Sequence, residues 1–274
     1  GLHAIDVEQP DNPVALPGDY ERDANIGDFR SLGAVADGRL LLVGPSGVYL
    51  TDVQNPAEPQ LLGSYSTFGV IEQISLAADG RTAYVTGAAG DGLNLLDGQN
   101  PQSWQSVSRV AFDWASKPVV LGDVVAVTGW NNGLLLLDVS NSTKPLSLTQ
   151  LDYDQLNGTP HGLFAWDEST VILNLLSGVM VIDMSEPTAV QENGRLSWDF
   201  SEYSLRDMVR AGDLLVSSGA TDDDAPTGQL RLFDLSDLAN PVWLSSLALP
   251  GRGEVITVVN NMAYVGWREL SCHH

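Results

Sequence analysis

A single cysteine, Cys272, stands in the 274 residues, which excludes an intrachain disulfide and any zinc site built on several thiolates. Lysine is almost missing too: Lys117 and Lys144 are the only two. Lysine and arginine together number 13 against 35 acidic residues, a formal net charge of −22. A field of that sign repels phosphate backbones, so nucleic acid is excluded as a partner, and cationic surfaces or neutral sugars are favoured. No run approaches the roughly 18 apolar residues a membrane-spanning helix requires. Helical periodicity of any length is also missing. What is present, 43 % hydrophobic and 18 % charged residues, is a globular composition with ample core and excludes disorder.

The first residues, Gly1-Leu-His-Ala-Ile-Asp6, have no charged stretch followed by an apolar core, so no signal peptide is read there. That leaves the compartment open. A disulfide-free chain suits the cytosol and a large secreted domain equally.

Self-similarity carries the fold. One pattern recurs: Gly, four or five mostly apolar residues, Asp, then a turn. It reads Gly1-Leu-His-Ala-Ile-Asp6, Gly47-Val-Tyr-Leu-Thr-Asp52, Gly92-Leu-Asn-Leu-Leu-Asp97, Gly133-Leu-Leu-Leu-Leu-Asp138, Gly178-Val-Met-Val-Ile-Asp183 and Gly228-Gln-Leu-Arg-Leu-Phe-Asp234. Successive Asp residues stand 41 to 51 positions apart, and the step from Asp234 through the C-terminus to Asp6 is one repeat length. Each repeat holds four strand signals, as in Ile71–Leu76, Arg81–Thr86, Gly92–Leu96 and Trp104–Arg109, with Asp79-Gly80 and Asn100-Pro101 among the turns. Four antiparallel strands per 40–50 residues, six times over, predict an all-β, six-bladed β-propeller.

Closure is expected by a two-plus-two seam. The sixth blade takes its inner strands from residues 253–271 and its outer strands from residues 1–17, so residues 1–274 form one domain with no open sheet edge. The repeated Asp is expected to accept backbone N–H groups of the turn that follows it. Six carboxylates at equivalent places in six blades cannot converge on a metal.

The units Gly-Leu-x-Ile-Asp-Val with a following Asn-Pro, preceded by Ala-Tyr-Val at Ala83–Val85 and Ala263–Val265, resemble the LVIVD repeat. The resemblance covers all six units. Two departures are Gly98, where a small apolar residue usually follows the Asp, and Glu186-Pro187 in place of Asn-Pro. The resemblance implies a propeller in a bacterial or archaeal protein, secreted or surface-attached, and no agreed catalytic residues.

Propeller sites lie on the face made by the loops between blades, and here those loops pair aromatic rings with acids. Tyr20, Phe68, Trp114, Tyr153, Trp198 and Tyr203 are the candidate rim, with Asp23, Asp113, Asp152, Asp154, Asp199 and Glu202 around them. Exposed rings beside carboxylates suit stacking on a sugar or cation–π contact with a cationic side chain. The other reading is that these aromatics plug gaps between twisted blades. Where each innermost strand begins, a polar residue recurs: Arg30, Glu72, Lys117, His161, Arg206 and Glu254. These residues either neutralise one another or hold a polar ligand or peptide terminus at the axis.

Other constellations are weaker. Asp222, Asp223 and Asp224 lie in one long loop and are a candidate Ca²⁺ site, although the alternating ligand spacing of calcium loops is missing. Cys272-His273-His274 lacks the second cysteine of a haem-attachment motif. No nucleophile elbow, His-Glu-x-x-His, P-loop or dinucleotide glycine cluster occurs. The expected function is therefore a non-enzymatic binding or scaffold module without a cofactor, extracellular, surface-held or periplasmic, that offers an acidic, aromatic face to a partner protein or glycan. The alternative is a metal-dependent, calcium-type hydrolase or an oxidoreductase working at the central channel.

Overall fold

The computed structural model describes residues 5–6, 14–16, 31–35, 38–44, 47–66, 71–87, 92–100, 104–113, 115–199, 203–221, 227–259 and 262–268. Every regular element among them is a strand, and every pairing is antiparallel within four-stranded or two-stranded sheets. No helix of the described residues is long and apolar enough to cross a membrane. The chain gathers into two compact units, Gly1–Gln150 and Leu151–His274.

In the first unit, β1 (Ile5–Asp6) and β2 (Val14–Ala15) make a two-stranded sheet. A four-stranded meander follows, β3 (Ser31–Val35), β4 (Arg39–Gly44), β5 (Gly47–Asp52) and β6 (Gln60–Ser66). The second meander is β7 (Ile71–Leu76), β8 (Thr82–Gly87), β9 (Leu93–Asp97) and β10 (Gln105–Val110), within a residue of the boundaries expected from sequence. The third is β11 (Val119–Leu121), β12 (Val124–Gly129), β13 (Gly133–Asp138) and β14 (Leu146–Leu151).

The second unit repeats the plan. Its first sheet is β15 (Pro160–Ala165), β16 (Thr170–Leu175), β17 (Gly178–Asp183) and β18 (Gln191–Ser197). The next is β19 (Ser204–Ala211), β20 (Leu214–Ala220), β21 (Gly228–Asp234) and β22 (Val242–Leu249), and β23 (Arg252–Val259) pairs with β24 (Met262–Arg268) alone. Five four-stranded sheets are therefore observed, with two strands at each end of the chain.

The middle strands are covered on both faces, which is why they read as unbroken apolar runs. Leu134, Leu136 and Leu137 of β13 and Leu173, Val171 and Ile172 of β16 are essentially inaccessible. The fourth strand faces solvent: Val242, Trp243, Leu244 and Leu247 of β22 are all about half exposed or more.

The repeat's two marker residues have separate jobs. A Cβ at Gly92 would fall on the Val110 carbonyl oxygen, at Gly178 on that of Leu196, and at Gly228 on that of Gly251, so glycine lets the incoming chain pass at backbone distance. The Asp closes the turn as expected. Oδ1 of Asp52, Asp97, Asp138, Asp183 and Asp234 accepts the N–H of Gln54, Gln99, Ser140, Ser185 and Ser236, at 2.8–2.9 Å. The residue after each Asp then donates to the first turn of the same sheet, as Val53 N to Gly38 O and Leu235 N to Asp213 O. Gly98 has its own reason: any Cβ there would collide with the indole of buried Trp104.

Candidate functional site

The inner strands do not pair regularly where the polar residues stand. Ile71 pairs with Gly87 and Gln73 with Thr86, which leaves Glu72 as the extra residue of a β-bulge. The same slip isolates His161, between Pro160–Leu175 and Gly162–Asn174. It isolates Arg206, between Leu205–Gly219 and Asp207–Ser218, and Glu254, between Gly253–Trp267 and Val255–Gly266. In the third sheet Ala115 bridges Gly129 and Val119 pairs with Ala126, so the inner strand again has one residue too many, and exposed Lys117 lies in that span. A bulge kinks the strand and re-aims the extra side chain away from the ladder. In the sequence these positions share only their polarity; the fold adds their common backbone geometry.

Within the second unit three of the bulges are tied to one another. Asn174, opposite Gly162, donates from Nδ2 to the Leu205 carbonyl at 3.3 Å, the residue just before Arg206. Asp207, just after Arg206, accepts Ile256 N at Oδ2 and Met208 N at Oδ1, both at 2.9 Å. Ser218, opposite Asp207, lies against the backbone of Gly253, just before Glu254. These links set the starts of β15, β19 and β23 side by side.

Burial first, then the Arg206 and Arg252 guanidiniums, lower the His161 imidazole below its ordinary value, so it is held neutral near pH 7. Arg252 Nε, Asn174 Oδ1 and Ser218 Oγ are buried and make no hydrogen bond among the described residues. Such groups carry a desolvation cost that a ligand atom would relieve.

The first unit uses the equivalent positions differently. Thr86 Oγ1 donates to Ser116 O at 2.9 Å, and Thr128 Oγ1 to Ser116 Oγ at 2.8 Å. Ser75 Oγ donates to Pro118 O at 2.6 Å, on the other side of Lys117.

The aromatic rim divides. Tyr20, Phe68 and Trp114 lie outside the described residues, as do Arg30, the Glu72 side chain, Asp222–Asp224 and Cys272–His274. Tyr153 is exposed, on a turn closed by Gln155 N to Asp152 Oδ1 and Asp152 N to Gln155 Oε1. Tyr203 departs from the expectation of an exposed ring: it is fully buried, with its hydroxyl 2.9 Å from Ser217 Oγ. Trp198 is half-buried, stacks on Phe233 at 5.7 Å and donates from Nε1 to Tyr203 O at 2.8 Å. The cation that meets these rings is the chain's own. The Arg231 guanidinium sits 4.2 Å from the Tyr203 ring centre, 5.4 Å from that of Trp243 and 5.9 Å from that of Trp198. For this pair the gap-filling alternative describes the geometry, because the rings bury more apolar surface inward than a loop face offers.

Sequence reasoning passed over Asn174, Asp207, Arg231 and Arg252. Asn174 alone left a signal, a polar residue inside the apolar run Val171-Ile-Leu-Asn-Leu175, at the position held elsewhere by Thr86 and Ser218. Among the described residues no three His, Cys, Asp or Glu side chains gather as metal ligands.

Residues 115–150 match the family model described as the LVIVD repeat, and this span coincides with the bulge and four strands of the third sheet. This stretch of the chain is an LVIVD repeat. No curated protein matches it. Among solved structures, a protein from Lactobacillus plantarum is similar to this chain with a TM-score of 0.76 and 13 % identity, over 98 % of this chain and 88 % of that one. Hydrazine synthase of Kuenenia stuttgartiensis gives 0.67 and 16 % over 92 % and 76 %. The periplasmic gluconolactonase of Pseudomonas aeruginosa gives 0.64 and 14 % over 81 % and 73 %. At such identities the likeness is one of fold, that of an all-β, propeller-like chain.

Proposed function

We propose that this protein is a non-enzymatic binding module whose ligand or partner is held at the bulged starts of the inner strands. The observation that carries the reading is the recurrence of one bulge at one place, with Glu72, His161, Arg206 and Glu254 each as the extra residue. A backbone irregularity kept in four repeats, always under a polar residue, supports a recognition role rather than a packing one. Loops that lead into these starts, including exposed Tyr153, add contact area for a partner protein or glycan.

The reading includes closure of residues 1–274 as one six-bladed propeller. What supports it is that the end sheets β1–β2 and β23–β24 have two strands each where every other sheet among the described residues has four. An extracytoplasmic setting is supported by the strong acidity and by the family resemblance. No cofactor is part of the proposal. The gluconolactonase and hydrazine synthase activities belong to those neighbours.

Photo-crosslinking tests the site. A crosslinker placed at 161 or at 254 should capture the partner, whereas one placed at Ser245 on the outer strand should not. Equal capture from all three positions, or stoichiometric Ca²⁺ with turnover of a lactone, would overturn the reading.

A further inference from the structure

We infer that the first unit holds a separate binding site, a cavity beside β6 that takes a small neutral carbonyl group, as in a short ketone or amide. The cavity has a volume of about 60 Å³. Leu41 of β4 and Val48 and Leu50 of β5, all essentially inaccessible, give it aliphatic walls. Ser64 and Tyr65 of β6 line it as well, and Trp104, just before β10, completes it from the second sheet. The space has a local cause. β6 bulges at Leu62, between the pairs Thr51–Leu61 and Leu50–Gly63, so the residue opposite Leu50 is a glycine with no side chain to fill it. The equivalent glycine of the fourth sheet, Gly194, lies against the backbone of Leu238 and Ala239. None of these lining residues stands at an inner-strand start, so the inference goes beyond the function proposed above and does not depend on it.

Size, charge and one donor select the ligand. A water-sized occupant needs about 15 Å³ of such space, so about four non-hydrogen atoms fit, and a whole sugar ring does not. No ionisable acid or base lines the cavity, so a charged group would lose its hydration without gaining a counter-charge. The donor is the indole of Trp104. That residue is 7 % exposed, and its Nε1 is buried without a hydrogen bond among the described residues. An indole N–H only donates, so nothing but an acceptor satisfies it. A water supplies the acceptor but sets a polar occupant against aliphatic walls. A methyl ketone or an acetamide supplies one acceptor oxygen together with an apolar methyl end.

Such a group can come from a free small molecule or from the acetamido group of an amino sugar. Acetone, acetamide, isobutene, sodium acetate and N-acetylglucosamine are titrated into the full chain. The indole N–H signal of Trp104, identified by its loss in W104F, is followed by NMR with the methyl signals of Val48 and Leu50. Acetone and acetamide should shift all of these saturably, and acetate should leave them in place. W104F should weaken acetone and acetamide about fivefold to tenfold, read from the methyl signals, and leave isobutene, which has no acceptor, unchanged. S64F, at an exposed position on the cavity, should abolish binding of every probe. Should W104F fail to fold, S64F carries the test, and shifts that persist in it overturn the inference. Tighter binding of N-acetylglucosamine than of acetamide assigns the acetamido group of a sugar; equal or weaker binding assigns a free carbonyl compound. No saturable shift with acetone or acetamide, acetate bound as well as acetamide, or W104F acting equally on acetone and isobutene overturns the inference. Crosslinking from position 161 or 254 reads the other site and stands or falls separately.

Discussion

The guanidinium of Arg231 lies 4.2 Å from the ring centre of Tyr203, and both side chains are buried. The sequence places Tyr203 on the loop rim; in the fold Arg231 and Tyr203 cover one another. Arg231 Nε is also held by Gln229 Oε1 at 3.0 Å. Tyr203→Ala should therefore act on stability, with a loss of about 3–5 kcal/mol in urea unfolding typical of a buried aromatic. Tyr203→Phe should lose about 1–2 kcal/mol, from the Ser217 hydroxyl left without its partner. Partner binding unaltered in the folded Phe variant agrees with this placement; a binding loss at unchanged stability contradicts it.

The turn-closing carboxylates make the fold sensitive to acid. Hydrogen bonds from Ser140 hold Asp138 below its ordinary value, and those from Ser185 and Ser236 do the same for Asp183 and Asp234. A lowered folded value means that the unfolded chain binds protons first. The stabilisation is thus complete above the ordinary Asp range and lost as pH falls through the lowered values. Melting temperature should drop on that limb, and a triple Asp→Asn variant should show a shallower acid slope. An unchanged slope would mean that these turns contribute nothing.

His161 loses stabilisation at a higher pH than the aspartates do. Its folded value is lowered by burial and by Arg206 and Arg252, so the unfolded chain takes up the proton first as pH falls below about 6.5. Stability should be full above that point and decline beneath it. R206Q should raise the His161 midpoint measured by NMR; a midpoint that stays put would separate the two residues.

Alkali acts through Tyr84. Burial, then Asp79 and Asp123, push its phenol up to about 12, and burial raises Tyr203 as well. Raised folded values mean that stability present below about pH 10 is lost as pH climbs toward them. Ultraviolet titration should find Tyr84 and Tyr203 silent until unfolding. Full ionisation near pH 10 in the folded state would contradict their burial.

The repeat glycine is testable against a neighbour. Gly178→Ala and Gly228→Ala place a methyl on a backbone oxygen and should cost about 1–3 kcal/mol each. Gly162→Ala meets nothing within 4 Å and should be close to neutral. Three equal effects would rule out close approach as the reason for the glycine.

Much of this protein was legible as text. The Gly-to-Asp unit specifies its own local structure: a glycine where two chains meet, an apolar run that both neighbours cover, and a carboxylate that turns back onto the N–H two residues on. Each is a short-range demand, so it appears at fixed spacing and can be counted along the chain. The four-stranded meanders and the five Asp turns follow from that spacing. The polar residues at the inner-strand starts were legible too, but only as a column of unlike side chains.

What the sequence could not supply is which side chains meet across strands. Nothing in the spacing of Trp198, Tyr203 and Arg231 says that a cation on β21 will lie over rings that precede β19, because that contact depends on sheet packing and on the area the rings can bury. Nothing in the column Glu72, His161, Arg206 and Glu254 says that each is a bulge, because a bulge is a mismatch between two strands and belongs to neither alone. The repeat was determined locally, by backbone sterics and hydrogen bonds; the grouping of His161, Arg206 and Arg252 was decided by the tertiary structure, because only packed sheets bring residues some 45 positions apart into one electrostatic neighbourhood.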